Sequence, residues 1–280
     1  MNEILVAMLL AAAANTEQVR PPARDVEIVA LDYAFKAPAE LPAGRTTFHF
    51  ENKGKVAHEF NVVLLKPGAT IQQFMAAANA NTSLAPMIDS TVGVLFAGAQ
   101  KRSSSALTTE LLSGRTYAVR CIFKDSATAP RHERMGMFTT IHVAPGKSAA
   151  APSMPVDTIV GSDYAFRYAR TLSPGLHHLA FVNAGKQRHE VSVALLTKGA
   201  TMQKVLDAIK SDGDVDALID EGLGVLHSLG GTRPAGLLEI NLLPGREYMI
   251  LCEFADSAKA PPHVALGMFG SIAVRGKAVR

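Results

Sequence analysis

Alternation of apolar and polar residues with a period of two runs through much of the chain and predicts β-strands. Six segments of the first half show it, and Gly, Pro, Asn or Asp residues that favour turns lie between them. These segments are Val26–Leu31, Thr46–Glu51, His58–Leu65, Ala106–Leu111, Tyr117–Phe123 and Gly136–Val143. The pattern predicts a sandwich of short strands that pair antiparallel.

One segment in each half follows a helical period instead. Its apolar residues are spaced three or four positions apart and would share one face of a helix. They are Ile71, Phe74, Met75 and Ala78 in the first half, and Met202, Val205, Leu206 and Ile209 in the second. Each half is therefore predicted to carry a short helical insertion.

The two halves repeat each other. An offset of 131 residues aligns them without a net gap, so that Asp32-Tyr-Ala-Phe falls on Asp163-Tyr-Ala-Phe and Asn52 falls on Asn183. A unit of this length is too long for a solenoid repeat and corresponds to a whole domain. The repeat predicts two domains, at residues 26–145 and 156–280, joined by a linker rich in Pro, Ser and Ala at residues 146–155.

The fold class predicted from these patterns is all-β, with two Greek-key β-sandwich domains and a helical insertion in each. Hydrophobic residues make up 48% of the chain, which is typical of a globular protein. The formal net charge is only +3 and the charges are scattered, so nucleic acid is excluded as a partner.

The first fourteen residues form a separate apolar stretch that ends in four alanines. This stretch is similar to a secretory signal peptide, although it contains the acidic Glu3 and no Lys or Arg precedes the apolar run. Residues 1–25 are interpreted as a signal peptide and linker, which predicts a periplasmic or secreted protein. The alternative is an apolar terminus or an anchor. No later segment is predicted to span a membrane.

Soft metal ligands occur in the same order and spacing in both halves. Each half has one His at the start of a middle strand, and the only Cys of that half follows much later, with a His and a Met after it. The first set is His58, Cys121, His132 and Met137, and the second set is His189, Cys252, His263 and Met268. Because the cysteines are equivalent in two repeats, two lone thiols are favoured over a disulfide.

The motifs Asn-x-Gly-x-x-x-His, Tyr-x-x-x-Cys and His-x4-Met, present in both halves, resemble those of the cupredoxins, the small blue-copper domains. The resemblance covers nearly the whole chain after residue 25. It implies that the His, Cys, His and Met of each set bind one copper ion, with the thioether as a weak axial ligand, and that a redox partner protein exchanges electrons with it.

The loop between Cys and the second His departs from the family. It holds ten residues in each half, Ile122 to Arg131 and Glu253 to Pro262, where familiar blue-copper loops hold only a few. The alternative is a metal-free or differently loaded cupredoxin-like module that recognises another protein. Each residue also has a structural interpretation. The Cys would be a small buried apolar residue, the first His with the Glu that follows it would be a surface pair or a polar cap of a strand, and the Met would belong to the core.

Enzymatic activity is not predicted. Related multicopper oxidases carry a His directly beside the Cys, whereas Arg120 precedes Cys121 here and Leu251 precedes Cys252. A Cys–His nucleophile would need a cleft and an orienting partner, and no pattern predicts either. The loop near His263 is apolar, which is suited to docking of a partner. The remaining histidines, His227 among them, have no counterpart in the other half and are interpreted as incidental.

Overall fold

The computed structural model describes residues 23–126, 128–147, 153–257 and 259–276. The predicted signal peptide and the middle of the predicted linker lie outside the described residues. Within them, no helix is long and apolar enough to cross a membrane.

The described part of the first half contains nine strands and one α-helix. The strands are Arg24–Leu31 (β1), Ala34–Lys36 (β2), Glu40–Pro42 (β3), Gly44–Asn52 (β4), His58–Leu65 (β5), Ile88–Ala97 (β6), Arg102–Leu111 (β7), Thr116–Arg120 (β8) and Phe138–Ala144 (β9). The helix is Ile71–Asn79 (α1), and short 3-10 turns lie at Ala85–Met87 and His132–Met135.

The second half repeats this order. Its strands are Asp157–Ser162 (β10), Ala165–Arg167 (β11), Thr171–Leu172 (β12), Gly175–Asn183 (β13), His189–Leu196 (β14), Ile219–Ser228 (β15), Gly236–Leu242 (β16), Glu247–Leu251 (β17) and Phe269–Val274 (β18). Its helix is Met202–Lys210 (α2), and 3-10 turns lie at Asp216–Leu218 and His263–Leu266.

The strands form two sheets, and both halves contribute to each sheet. One sheet has eight strands in the order β11-β10-β13-β16-β7-β4-β1-β2, and the other has ten in the order β12-β18-β17-β14-β15-β6-β5-β8-β9-β3. The halves join where β7 pairs with β16 and where β6 pairs with β15, both antiparallel. The main apolar core contains buried residues of both halves, such as Phe60 and Leu226.

The mostly β fold with few helices is confirmed, and so is the repeated helix. The prediction that all strands pair antiparallel is wrong, because β1 lies parallel to β4 and β10 lies parallel to β13. The chain returns between these partners through the short strands β2 and β3, or β11 and β12, and no tight hairpin forces an antiparallel arrangement. The domain division at residues 146–155 stays a prediction.

Six strands were not predicted: the short β2, β3, β11 and β12, and the ten-residue β6 and β15. Strands β6 and β15 lie at the junction of the halves, and four consecutive residues of β6, Val92 to Leu95, are buried. A strand that is covered on both faces shows no alternation of apolar and polar residues, which removes the signal that identified the others. The close pairing of β6 and β15 also leaves no room for a side chain at Gly224, because a Cβ there would lie 2.5 Å from the carbonyl oxygen of Val94.

The helix α1 begins at a capping box, in which Thr70 accepts a hydrogen bond from the backbone N–H of Gln73 and the Gln73 side chain accepts one from Thr70. Its apolar face buries Phe74 against Val63 and Ala118 on the outer side of the ten-stranded sheet. The helix therefore covers strands β5 and β8, which carry two of the candidate ligands at or next to their ends.

Candidate metal centre

The segment before His58 is held by the buried side chain of Asn52. Its amide donates hydrogen bonds to the carbonyl oxygens of Val56 (2.8 Å), Ala97 (3.1 Å) and Gly98 (3.0 Å). Its oxygen accepts one from the N–H of Gly54 at 2.8 Å. This explains the repeated Asn-x-Gly motif: the Asn fixes the turn that delivers the first His. Asn183 makes the counterparts of three of these four bonds before His189 in the second half.

The ten-residue loop after Cys121 folds back on itself and returns His132 to the thiol. The N–H of His132 donates to the carbonyl oxygen of Phe123 at 2.9 Å, and the N–H of Glu133 donates to that of Cys121 at 2.7 Å. Gly136, with φ of 100°, ends the following 3-10 turn in the left-handed region that favours glycine. The long loop is therefore compatible with a closed site.

The first site, formed by His58, Cys121 and His132, brings three donor atoms together. The two Nδ1 atoms are 3.0 Å apart, and the Cys121 sulfur lies 3.4 Å from Nδ1 of His132 and 3.8 Å from Nδ1 of His58. A triangle with these sides has a circumradius of about 2.0 Å, close to ordinary metal–nitrogen and metal–sulfur bond lengths. One ion in the plane of the triangle would reach all three donors.

The second site, formed by His189, Cys252 and His263, has the same arrangement. The two Nδ1 atoms are 2.9 Å apart, and the Cys252 sulfur lies 3.4 Å from His263 and 4.0 Å from His189. The circumradius of this triangle is again about 2.0 Å. The six candidate ligands of the two sites are all buried. Sequence analysis named each of them, and the structure brings each set of three together. That they bind a metal stays a prediction.

An aspartate and a tyrosine hold the second His of each site. The Nε2 of His132 lies 3.0 Å from Oδ1 of Asp125, and the hydroxyl of Tyr33 donates to Oδ2 of the same carboxylate at 2.6 Å. A carboxylate on the distal nitrogen fixes the orientation of a ligating imidazole and leaves Nδ1 free for a metal. Asp256 and Tyr164 repeat the arrangement around His263, at 3.0 and 2.6 Å.

Sequence analysis did not identify these outer residues, but the signal was present. The repeated Asp-Tyr-Ala-Phe motif contains Tyr33 and Tyr164, and Asp125 and Asp256 occupy equal places in the loops. The tyrosine and its aspartate are separated by 92 residues, so the pairing depends on the fold.

The sites differ at the first His. Nε2 of His189 lies 3.3 Å from Oδ1 of Asp163, whereas Nε2 of His58 is buried without a hydrogen-bond partner among the described residues. Asp32, the counterpart of Asp163, accepts a hydrogen bond from the N–H of Lys55 at 2.6 Å.

The cysteines are free, fully buried thiols, as predicted. The backbone N–H of Glu59 donates to the Cys121 sulfur at 3.3 Å, and that of Glu190 donates to the Cys252 sulfur at 3.4 Å. Burial raises the pKa of Cys121 to about 12 and that of Cys252 to about 11. Each thiol therefore keeps its proton at neutral pH until a cation displaces it.

Burial has the opposite effect on the imidazole of His58. Desolvation, with a smaller contribution from His132, lowers the pKa of His58 to about 4. Desolvation also lowers the pKa of His189. The first His of each site is therefore neutral near pH 7 and can offer a lone pair. The interpretation of His58 and His189 as surface residues paired with Glu is wrong, because the histidines and the glutamates are buried.

Met137 and Met268, the predicted axial ligands, lie next to the sites. Both side chains are fully buried. The N–H of Met137 donates to the carbonyl oxygen of His132 at 3.0 Å, and the carbonyl of Met137 accepts from the N–H of Cys121 at 3.2 Å. Met268 makes the same two bonds in the second half. Their role as ligands stays a prediction.

The surfaces above the second histidines differ between the halves. Beside His132, the charged Arg131 and Arg134 are exposed. Beside His263, the exposed residues are apolar, and Leu266 is 43% exposed. Val264, in contrast, is buried in an apolar cluster with α2.

No protein-family model and no curated protein matches this chain. Solved structures do resemble it. Auracyanin B is 26% identical over 45% of this chain and 91% of its own length, with a TM-score of 0.31. Auracyanin A of Chloroflexus aurantiacus, described as a "blue" copper protein, is 20% identical over 42% of this chain and 97% of its own, with a TM-score of 0.28.

A copper-containing nitrite reductase from Thermus scotoductus SA-01 is 12% identical over 92% of this chain and 63% of its own length, with a TM-score of 0.26. Such TM-scores describe a likeness only, so the roles of the residues rest on the ligand geometry of this chain.

Proposed function

We propose that the chain is a tandem cupredoxin-like protein that binds one copper ion in each repeat and acts in electron transfer or copper handling. The observation that carries the proposal is the convergence of three donor atoms in each half on one point about 2.0 Å away from all of them. Each repeat supplies four strands to one sheet and five to the other, which supports its being one sandwich domain.

The donor set favours copper among the common metals. One thiolate and two imidazoles in a trigonal arrangement, with a thioether as weak axial ligand, form the ligand set of blue-copper sites. Copper bound there would supply one-electron transfer. The protein's contribution is to hold the ligands still, since Asp125 orients His132 and the loop hydrogen bonds fix Cys121. Met137 and Met268 are the proposed axial ligands.

We favour a carrier over an enzyme. The Cys121–His132–Asp125 arrangement resembles that of a Cys–His nucleophile, which would make a hydrolase the rival function. Such a nucleophile must be a thiolate that substrate can reach. The Cys121 sulfur is fully buried and burial raises the pKa of this thiol to about 12, both of which argue against that chemistry.

A redox partner is proposed to dock near His263, where the exposed loop is apolar. Pro262 and Leu266 flank the buried imidazole and would form an uncharged contact. Weak electron-transfer complexes use small interfaces, so a modest patch is adequate. Periplasmic or secreted location also stays a proposal, carried by the sequence of the first residues.

The experiment that tests the function is a visible absorption spectrum of the full chain during addition of Cu(II). Thiolate ligation predicts an intense charge-transfer band that grows with bound copper and is absent from the Cys121→Ser, Cys252→Ser double variant. A folded protein that takes up no copper would exclude the proposal and favour a metal-free binding module. Uptake that the double variant retains unchanged would exclude the thiolate sites.

A further inference from the structure

A cavity of about 470 Å³ opens where the two repeats meet. Arg120 and Arg131 line it on one side, and each directly precedes a ligand of the first site. Arg188 lines it on the other side and directly precedes a ligand of the second site. The cavity thus lies between the two candidate metal centres, and its volume is in the range of small-molecule pockets.

The cavity carries an excess of positive charge. Arg233 is the fourth arginine of its lining. Glu133 is shared by two of the four, since its carboxylate lies 3.1 Å from Arg120 and 3.7 Å from Arg131. Asp89 also lines the cavity, but it already pairs with Arg115 at 2.7 Å. More guanidinium groups than carboxylates therefore face the space.

Arg188 is positioned by an aromatic ring and keeps its donors available. Its guanidinium carbon lies 3.9 Å above the ring centre of Phe254. Among the described residues, no hydrogen bond or ion pair joins this guanidinium to a protein group. His227 contacts the same ring edge-on, at 6.0 Å between ring centres. The Arg188 guanidinium therefore presents its planar fork of N–H donors to the cavity, and these donors remain available to a ligand.

Part of the wall is apolar. Leu84, Ile88 and Ile122 line the cavity together with Phe254. A cavity with apolar walls and a few convergent cations suits a ligand with an apolar body and an anionic group. The guanidinium fork matches a carboxylate in particular, because both are planar and two parallel hydrogen bonds can form.

The pseudo-symmetry of the repeats provides an internal comparison. A second cavity of about 440 Å³ lies at the equivalent place of the other repeat junction, and Asp220 and Glu221 line it. Its Arg102, the counterpart of Arg233, is paired with Glu27 at 2.7 Å. The residues Arg120, Arg131, Arg188 and His227 of the first cavity correspond to Leu251, Pro262, Ala57 and Phe96.

The two copies have therefore diverged at this place. Three arginines of the first cavity correspond to apolar residues of the other copy, and Ser90 lines the first cavity where the second has Glu221. One change has the opposite sense, since the second cavity has Lys101 where the first has Thr232. None of these changes is needed for the fold, because both copies form the same strands.

We propose that the inter-repeat cavity binds a small organic carboxylate, whose anionic group is held by Arg188 and Arg233 and whose apolar body lies against Phe254. The site is separate from the metal ligands and does not depend on copper. Charge-assisted hydrogen bonds to a guanidinium contribute enough for the loss of one arginine to weaken binding by about tenfold or more.

The test is calorimetric titration of the full chain, with and without added copper, with acetate, benzoate, succinate and citrate. Benzyl alcohol serves as the neutral probe and inorganic phosphate as the anion without an apolar body. We expect saturable binding of at least one carboxylate, no binding of benzyl alcohol, and weaker binding of phosphate. No carboxylate binding up to about 10 mM, which corresponds to negligible affinity, would overturn the proposal. Binding of phosphate alone would also overturn it.

Variants locate the site. Arg188→Ala introduces the residue of the other copy, so the fold is expected to persist, and carboxylate binding should weaken at least about tenfold. Arg233→Ala should act in the same direction, whereas Arg102→Ala, its counterpart in the second cavity, should leave binding unchanged. Far-ultraviolet circular dichroism checks that each variant is folded. Equal carboxylate affinity in the wild type and both cavity variants would contradict the assignment.

Discussion

The Nε2 atom of His132 lies 3.0 Å from Oδ1 of Asp125, and the same distance separates His263 from Asp256 in the second repeat. Each aspartate also accepts a hydrogen bond from a tyrosine hydroxyl at 2.6 Å, which belongs to Tyr33 in the first repeat and to Tyr164 in the second. Bonds to Tyr33 and His132 lower the pKa of Asp125, which keeps its carboxylate charged. This chain of contacts presents Nδ1 of the imidazole to the metal site.

Removal of Asp125 should weaken metal binding at the first site only. Loss of an outer-shell carboxylate typically reduces metal affinity by about 10- to 100-fold, since the imidazole is no longer oriented. The metal affinity is measured by competition with a chelator, for Asp125→Ala in a Cys252→Ser background. The Cys252→Ser change removes the second site, so that only the first site binds metal. Tyr33→Phe keeps the carboxylate and should have a smaller effect.

The repeat provides the matched control. Asp256→Ala in the same Cys252→Ser background should leave the affinity of the first site unchanged, because Asp256 contacts only the second. If Asp125→Ala and Asp256→Ala gave the same affinity in this background, Asp125 would have no positioning role.

Metal uptake should release protons near pH 7. The pKa of Cys121 is raised to about 12 and that of Cys252 to about 11, so both thiols are protonated before binding and must become thiolates. At least one proton per bound ion is expected from calorimetry in buffers of different ionisation enthalpy. Affinity should therefore rise with pH. An uptake of copper with no proton release would show that the thiols do not ligate it.

His227 should make the fold sensitive to acid. Burial, followed by the charges of Arg188 and Arg120, lowers the pKa of His227 from 6.5 to about 3. The unfolded chain takes up this proton near pH 6.5, while the folded chain resists it. The stabilisation is therefore present above pH 6.5 and is lost as the pH falls towards 3, by on the order of a few kcal/mol.

His227→Phe, which introduces the residue of the other copy, removes this dependence. Urea unfolding of the metal-free protein at several pH values between 7 and 4 should show the wild type losing more stability than the variant. Parallel curves for the two proteins would mean that His227 is not held neutral by the fold.

Gly224→Ala should weaken the junction of the repeats. A Cβ there would lie 2.5 Å from the carbonyl oxygen of Val94 and 2.7 Å from Leu238, so the paired strands would have to separate. Overpacking of this kind costs about 1–3 kcal/mol in the free energy of unfolding. Gly98→Ala is the control, because its Cβ would meet only Lys101, at 3.5 Å. Equal stability of the two variants would contradict the tight junction.

Much of the fold could be predicted because local pattern and tertiary burial agree in most strands. The period of two in Val26–Leu31 and the helical spacing around Phe74 reflect how these segments pack. The predicted strand Tyr117–Phe123 ends instead at Arg120, since Cys121 already belongs to the loop that closes the site. Strands β6 and β15 could not be predicted, because burial on both faces removes the alternation.

The ligands could be predicted because they occur twice in one order. The contacts that orient them could not, since Tyr33 and Asp125 meet only through the pairing of distant strands. The cavity between the repeats is likewise a property of the assembled sheets. His227 was interpreted as incidental because the other half has no histidine at the equivalent position. Such differences between the repeats are what distinguish the cationic cavity from the second cavity.

The most direct test of the two-site account is the number of copper ions bound per chain, measured by elemental analysis after removal of free metal. The wild type should bind two, Cys121→Ser and Cys252→Ser one each, and the double variant none, with all four proteins folded. A wild type that retains fewer than two ions, or a single variant that still binds two, would contradict the assignment of one thiolate centre to each repeat.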